Sequence, residues 1–278
     1  MSYRIIGDSC TDLPEFLKED EHFKLVPLTI SLDDETIVDD NTFNIKGFLS
    51  KLKSSNSYPK SACPSPQQYM EQFDFDGDIY VITLSSALSG SYNSAQLAKK
   101  LYLEKHPDKN IEVIDSRSAS VGQTLLAYKI KELVEKGHSF QSVVEQVYAF
   151  RSSMKTKFVL ESLEILMKNG RLTGLQAFIC NTLNIKPIMG ATPEGTICKL
   201  DQSRGIMRAL SNMAKIIEKD VVKPQERILG IAHCNNYERA LFIKDEILKR
   251  IPFKDCIIVE TAGISTMYAN EGGIITAY

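Results

Sequence analysis

Cysteine pairs and histidine clusters are missing from this sequence. Its six cysteines include no C-x-x-C pair, and its four histidines form no H-x-x-x-H pattern. These absences disfavour a structural zinc site and a thioredoxin-like redox pair. A chain of 278 residues can also bury a core without disulfide bonds. We therefore expect reduced thiols and no metal.

Long apolar runs, excess charge and nucleotide-binding motifs are absent too. No run of about 18 apolar residues could span a membrane, and the N-terminus lacks the apolar core of a signal peptide. The formal net charge of −2 gives no broad basic face for nucleic acid. Since neither G-x-G-x-x-G nor a P-loop occurs, a nucleotide cofactor is disfavoured. We expect a soluble cytoplasmic protein with no cofactor and no nucleic-acid partner.

Short apolar runs alternate with helical patterns over the first part of the chain. This alternation predicts an α/β fold, with a mostly parallel sheet and helices on both faces. The predicted strands cover residues 4–6, 25–30, 79–84 and 111–114. The predicted helices cover residues 45–53, 67–73, 93–104, 121–135 and 140–150.

The pattern pauses at residues 152–157, and a second series of elements follows. Its predicted strands cover residues 158–160, 186–189, 196–200, 228–232, 256–260 and 273–277. Its predicted helices cover residues 162–167, 176–183, 205–217 and 237–250. We therefore predict two α/β domains, residues 1–155 and residues 156–278, of which the second is smaller and has a mixed sheet.

Three polar segments follow predicted strands, at residues 7–12, 84–92 and 115–120. Because parallel strands end at the same edge of a sheet, we expect these segments to lie together. The serines of residues 84–92 precede a helix, whose first N–H groups suit a small anion. They can cap that helix or hold a carboxylate or phosphate, and both interpretations stay open.

Other candidate residues also have two interpretations. Thr11 or Asp12 could cap a helix starting at residues 13–14, or the acidic residues Asp8 and Asp12 could orient hydroxyl groups that line a site. Arg171 follows a predicted helix, where a cation either stabilises the helix end or binds an anion.

The predicted loop at residues 60–66 carries a helix-capping pattern at its end. Ser65, followed by Pro66 and Gln68, predicts a capping box. Capping does not account for Ser61 or Cys63, which precede the cap and are free to face a pocket. Although G-x-S-x-G is absent, Cys63 and Ser89 remain candidate nucleophiles.

The order of these segments resembles the DegV family of bacterial fatty-acid-binding proteins. The family's D-S-x-x-D-L-P element is matched by residues 8–14, and its K-T-S-Q-P-S loop loosely by residues 60–65. Its S-S-x-L-S-G-x-Y and I-D-S-x-x-A-S-x-G elements are matched by residues 85–92 and 114–122. Residues 170–172 resemble its G-R-I-like turn, and residues 186–188 its K-P-I element.

The resemblance implies a non-catalytic carrier with one long-chain fatty acid between two domains. It implies that loop hydroxyls and the helix start hold the carboxylate, while the acyl tail enters an apolar channel. The ligand-binding residues expected from it are Ser61, Cys63, Ser86, Ser89, Gly90, Arg171 and Tyr268. Because some members present the carboxylate to a fatty acid kinase, Arg204 is expected on a docking surface. Transient membrane contact is compatible with such a carrier.

One segment departs from the family pattern. The family usually has G-T-H-x-G-P-G near its end, and residues 266–272 stand there in this chain, with Tyr268 in place of the histidine. A phenol can donate one hydrogen bond and stays neutral near pH 7. The alternatives to a carrier are an acyl hydrolase or acyltransferase using Cys63 or Ser89, and a regulatory or phosphosugar-binding module.

Overall fold

A computed structural model of the protein describes residues 2–172 and 184–278. Its first sheet has four parallel strands in the order β2-β1-β6-β7. These strands are β1 (Tyr3–Asp8), β2 (Phe23–Val26), β6 (Asp78–Thr83) and β7 (Ile111–Asp115). The apolar run at residues 79–82 is fully buried because helices cover both faces of the sheet. The predicted mostly parallel sheet is confirmed.

Two pairs of helices cover the parallel sheet. Helices α3 (Pro66–Met70) and α4 (Ser91–Leu103) pack on the face that carries Ile79 and Val81. Helices α5 (Val121–Glu135) and α6 (Phe140–Ser153) pack on the opposite face. The predicted capping box is confirmed, since Ser65 and Gln68 exchange hydrogen bonds at the start of α3. Two further helices are α1 (Glu15–Lys18) and α2 (Ile45–Ser54).

The predicted strand at residues 25–30 is wrong in extent. Strand β2 ends at Val26, and β3 (Thr29–Leu32) belongs to a separate antiparallel sheet in the order β4-β3-β5. Pro27 between them has no N–H for a ladder hydrogen bond. The other strands are β4 (Glu35–Val38) and β5 (Lys60–Ala62). Residues 60–62, predicted as loop, are therefore strand.

The second large sheet has six strands in the order β10-β9-β8-β13-β11-β12. Only β11 and β12 pair in parallel among the described strands of this sheet, so the predicted mixed sheet is confirmed. The strands are β8 (Thr156–Val159), β9 (Ile185–Ala191), β10 (Ile197–Arg204), β11 (Ile228–His233), β12 (Asp255–Glu260) and β13 (Ile274–Ala277).

Helices α8 (Ile206–Asp220) and α9 (Tyr237–Leu248) cover one face of the mixed sheet with a continuous apolar core. Shorter helices are α7 (Glu164–Lys168) and α10 (Gly263–Ala269), and Pro224–Glu226 form one 3-10 turn. The predicted helix at residues 176–183 lies outside the described residues. Among the described helices, none is long and apolar enough to cross a membrane.

Helix α5 joins the two large sheets. Leu126 and Ile130 belong to the core of the parallel sheet. Val121 and Leu125 pack against strand β11, where a Cβ added to Gly230 would lie 2.6 Å from Cγ2 of Val121. All six strands of the mixed sheet follow residue 155. Since α5 contributes to cores on both sides, the domain division at residue 155 stays a prediction.

Candidate functional site

A narrow cavity lies between the exits of the parallel strands and the mixed sheet. The space among its lining residues measures about 840 Å³, of which about 100 Å³ admits the centre of a water molecule. Apolar side chains form most of its wall, including Leu84, Leu88, Phe158, Leu160, Leu166 and Ile264. Such a cavity suits a thin apolar ligand better than a bulky polar one.

Four predicted ligand-binding residues line this cavity, namely Ser61, Ser89, Arg171 and Tyr268. The hydroxyl oxygens of Ser61 and Tyr268 lie 3.0 Å apart. Arg171 donates from Nε to the carbonyl of Leu88 at 3.2 Å and from Nη1 to the carbonyl of Asn169. Its guanidinium therefore donates to a carbonyl group at the C-terminal end of α7 and also brings a positive charge to the cavity wall.

The other three predicted ligand-binding residues do not belong to the cavity lining. Ser86 is exposed, and its hydroxyl donates to Asp115 at 2.5 Å. Cys63 is also exposed, and its sulfur would lie 3.1 Å from a Cβ added to Gly90. Gly90 is the N-cap of α4 and makes no side-chain cap. The structure therefore places Cys63 and Gly90 together, but outside the cavity.

The serines at the start of α4 have different roles, and only some of them contact the cavity or the helix start. Ser89 Oγ accepts a hydrogen bond from the Ser91 N–H at 3.2 Å and also lines the cavity. Ser91 is buried, and its hydroxyl donates to Asp8 at 2.5 Å. Ser85 donates to the carbonyl of Gly195 at 2.8 Å, which ties this segment to the β9–β10 turn. Ser89 is thus the one described serine of this segment that lines the cavity.

The buried carboxylates of Asp8 and Asp12 hold the strand exits together. Asp8 accepts hydrogen bonds from the Leu84 N–H at 2.7 Å and from Ser91. Asp12 accepts from the Ser120 hydroxyl and from the Ala262 N–H, the latter at 2.6 Å. Ser120 lines the cavity and Ser91 does not, so the alternative in which the acidic pair orients hydroxyl groups of a site matches the contacts of Asp12 and not those of Asp8.

The prediction that Thr11 or Asp12 caps the first helix is wrong. Helix α1 begins at Glu15, its N-cap is Pro14, and no side chain caps it. Asp12 is unavailable because both of its carboxylate oxygens accept hydrogen bonds from residues distant in sequence.

A third buried carboxylate, Asp39, caps helix α10. It accepts from the N–H groups of Gly263 at 2.7 Å and Ile264 at 2.9 Å. Helix α10 carries Ser265 and Tyr268 into the cavity wall. Sequence reasoning missed both α10 and Asp39, because the cap comes from more than 220 residues away. No local pattern signals it.

Burial controls the ionisation of these groups. It raises the pKa of Asp12 to about 7 and that of Asp39 to about 6. The hydrogen bonds to both carboxylates favour the charged forms and lower these pKa values, but burial has the larger effect. Burial also raises the pKa of Tyr268, although the hydrogen bond with Ser61 and the charge of Arg171 act in the opposite direction. Tyr268 is therefore a neutral hydrogen-bond donor near pH 7.

The described contacts do not assemble a catalytic or metal centre. Among residues 2–172 and 184–278, no three histidine, cysteine, aspartate or glutamate side chains are placed to hold a metal ion. In the same part of the chain, neither Cys63 nor Ser89 has a hydrogen bond to a histidine. A nucleophile needs a neighbouring base, so this geometry does not favour the hydrolase alternative.

Arg204 lies away from these contacts, at the end of β10. It is exposed, as is Arg208 in the first turn of α8. The proposed docking role of Arg204 stays a prediction.

Comparisons with known proteins give one consistent result. Residues 2–277 match the family model described as "Uncharacterised protein, DegV family". A DegV domain-containing protein of Streptococcus gordonii is 38% identical over 280 residues, which cover 100% of this chain and 99% of that protein.

Two solved structures share the whole fold. A DegV family protein from Ruminococcus gnavus, refined with vaccenic acid, is 46% identical with a TM-score of 0.97, and the match covers 99% of each chain. The Streptococcus pneumoniae Fatty Acid Kinase (Fak) B3 protein, loaded with linoleic acid, is 35% identical with a TM-score of 0.92. That match covers 100% of this chain and 99% of the pneumococcal one. This chain therefore belongs to the DegV family.

Proposed function

We propose that this protein binds one long-chain fatty acid in the cavity between its parallel and mixed sheets and does not change it chemically. The observation that carries the proposal is a narrow apolar cavity with Ser61, Tyr268 and Arg171 in its wall. The Ruminococcus gnavus and Streptococcus pneumoniae relatives were solved with vaccenic and linoleic acid.

The polar residues of the cavity suit a carboxylate. Ser61, Ser89 and Tyr268 offer hydroxyl donors, and Arg171 offers a charged donor. We infer that the carboxylate lies among these four side chains. Ser61 and Tyr268 bond to each other, so one hydroxyl hydrogen of the pair is available for an anion.

The acyl tail would supply most of the affinity. Burying about 14 methylenes at roughly 0.8 kcal/mol each gives a gross term near 11 kcal/mol. Ordering the chain offsets part of that gain. The polar contacts then orient the ligand more than they strengthen its binding. We place the tail between residues 1–155 and 156–278, because Leu84 and Phe158 both line the cavity.

We also propose that the protein presents its fatty acid to a kinase. Support comes from the pneumococcal relative, which is a Fatty Acid Kinase B3 protein. Arg204 is exposed and is our candidate for the docking surface. An exposed arginine can pair bidentately with a carboxylate on a partner.

Isothermal titration calorimetry of delipidated protein with linoleic acid tests the fatty-acid proposal. Linoleyl alcohol is the matched control, since it has the same tail and no carboxylate. We expect saturable binding of the acid with one site per chain and weaker binding of the alcohol. Binding of neither compound would refute the proposal, and equal affinities would refute the carboxylate site.

A further inference from the structure

A second cleft adjoins the lipid cavity. The two share a wall made of Arg117, Thr156, Gly190 and Ala191. The space among the residues of the cleft measures about 1070 Å³, against about 840 Å³ in the cavity. Charged and polar side chains such as Arg117, Arg151 and Ser152 line the cleft, so it suits a polar ligand.

Positive charge dominates this cleft. Arg117, Arg151, Lys155 and Lys157 line it, and Asp220 is the one acidic residue among the lining residues that the structure describes. Like charges held together in one cleft repel each other. An arrangement of four cations and one carboxylate therefore favours an anion from solution.

The one carboxylate among the described residues of the cleft, that of Asp220, already has hydrogen-bond partners within the protein. Asp220 accepts hydrogen bonds from Lys157 at 2.6 Å and from the Tyr278 hydroxyl at 2.5 Å. The Lys155 Nζ lies 3.6 Å from the same carboxylate. Lys157 is buried and closely paired, so Asp220 mainly compensates that one charge.

The two arginines have no carboxylate partner among the described ion pairs. Nη1 of Arg117 donates to the carbonyl of Pro193 at 3.1 Å, and Nη1 of Arg151 donates to the carbonyl of Asp115 at 3.2 Å. Nε of Arg151 is buried without an acceptor in the described part of the chain. Burial and the charge of Arg117 both lower the pKa of Arg151. Asp115 and the Tyr148 ring, whose centroid lies 4.7 Å from Cζ of Arg151, compensate part of the Arg151 charge. Neither guanidinium has a carboxylate within ion-pair distance in the described part of the chain.

We propose that this cleft binds a phosphate group. A phosphate dianion offsets the two charges of Arg117 and Arg151, and guanidinium groups bind its oxygens in a fork geometry. Lys155 adds a further positive charge to the same cleft. The ligand is inorganic phosphate or a small phosphomonoester, and the two have the same recognition chemistry. This site is separate from Ser61, Ser89 and Tyr268, none of which lines the cleft.

Isothermal calorimetry with inorganic phosphate tests the proposal, with sodium chloride at equal ionic strength as the reference. A parallel titration with glycerol 3-phosphate distinguishes a free phosphate site from a phosphomonoester site by which ligand binds more tightly. The proteins are the native chain, Lys155→Met and Arg151→Met. Lys105→Met is the matched control, since Lys105 is exposed and does not line the cleft.

We expect saturable binding by the native chain and by Lys105→Met, and about tenfold weaker binding by Lys155→Met. Arg151→Met should weaken binding at least as much, provided that its thermal unfolding matches the native protein. Absence of saturable binding of either ligand up to about 10 mM would overturn the proposal. Equal affinities in all four proteins would overturn it as well. Co-purified lipid, measured in each sample, reports separately on the fatty-acid proposal.

Discussion

The hydroxyl of Tyr268 lies 3.0 Å from the hydroxyl of Ser61 and joins helix α10 to strand β5 in the cavity wall. The two residues are 207 positions apart in the chain. Either hydroxyl can donate to the other, so the pair can turn its second hydrogen toward an anion. The strength of this arrangement depends on α10 being held in place by Asp39.

Removing the phenol hydroxyl should weaken head-group binding. Tyr268→Phe keeps the ring and removes one donor, so we expect a loss of roughly 0.5–3 kcal/mol in linoleic acid affinity. Ser61→Ala should cost a similar amount. Because the two hydroxyls act together, the double variant should lose less than the sum. Calorimetry with the acid measures these losses, and equal losses for linoleyl alcohol would contradict a carboxylate contact.

Two serines of one segment should behave differently. Ser89 lines the cavity, whereas Ser86 is exposed and bonded to Asp115. Ser89→Ala should therefore weaken fatty-acid binding by about 0.5–3 kcal/mol, while Ser86→Ala should leave it unchanged. The same titration compares them. A larger loss of affinity in Ser86→Ala than in Ser89→Ala would mean that the carboxylate binds outside the cavity.

The buried carboxylates should make folding stability depend on pH. Folded Asp12 and Asp39, with pKa values raised to about 7 and about 6, keep protons that the unfolded chain has released. The folded state then binds more protons above about pH 4, so the free energy of unfolding should fall as pH rises toward about 7. Each carboxyl contributes at most about 1.4 kcal/mol per pH unit.

Urea unfolding of the native chain and Asp12→Asn, at about pH 5.5 and about pH 7.5, isolates this contribution. His233 acts in the opposite direction, because burial lowers its pKa, but it is common to both proteins. The native chain should lose more stability than the variant between the two pH values. Identical changes in both proteins would show that Asp12 does not titrate in this range.

The turn that closes onto the cavity should tolerate only glycine. Gly195 has a φ of +84°, and an added Cβ would lie 2.3 Å from Ser85 Oγ and 2.8 Å from the Arg117 Cα. Gly137 has a similar φ of +81° with no atom within 4 Å of an added Cβ. Both alanine variants carry backbone strain of about 1 kcal/mol or more, but only Gly195→Ala adds a clash. Thermal unfolding should show the larger loss in Gly195→Ala, and equal losses would mean that the turn moves freely.

The kinase proposal makes a prediction about Arg204. Arg204→Ala should lose acyl-phosphate formation with the host's fatty acid kinase and keep its bound lipid. Lys105→Ala, which changes another exposed cation, is the control. Mass spectrometry of the product and of the bound lipid gives both readouts. Full product formation by Arg204→Ala would show that Arg204 is not part of the docking surface.

Apolar runs predict the two large sheets because their central strands, such as β6 and β11, are buried. The pattern does not show the break between β2 and β3, since residues 25–30 are almost continuously apolar and Pro27 is its one local signal. The three-stranded sheet has strands of three or four residues, too short for a clear alternation. Helix α10 has no local cap, because Asp39 supplies it.

The site was partly predictable, because some of its residues belong to local sequence motifs and others depend on long-range contacts. Residue patterns indicate Ser61, Ser89 and Arg171 as candidates, and resemblance to the family adds Tyr268. The structure brings all four to one cavity. Ser86 matched the same motif, but its contact with Asp115 depends on the neighbouring strand β7. Long-range contacts of this kind, like that of Asp12 with Ala262, leave no signal in a single sequence.

Native mass spectrometry of the purified protein measures whether it carries a long-chain fatty acid. We expect one long-chain fatty acid per chain, or uptake of one when linoleic acid is added after delipidation. Tyr268→Phe should show a smaller bound fraction under the same conditions. A chain that stays at its apo mass in both experiments, while remaining folded, would show that the cavity does not bind a fatty acid.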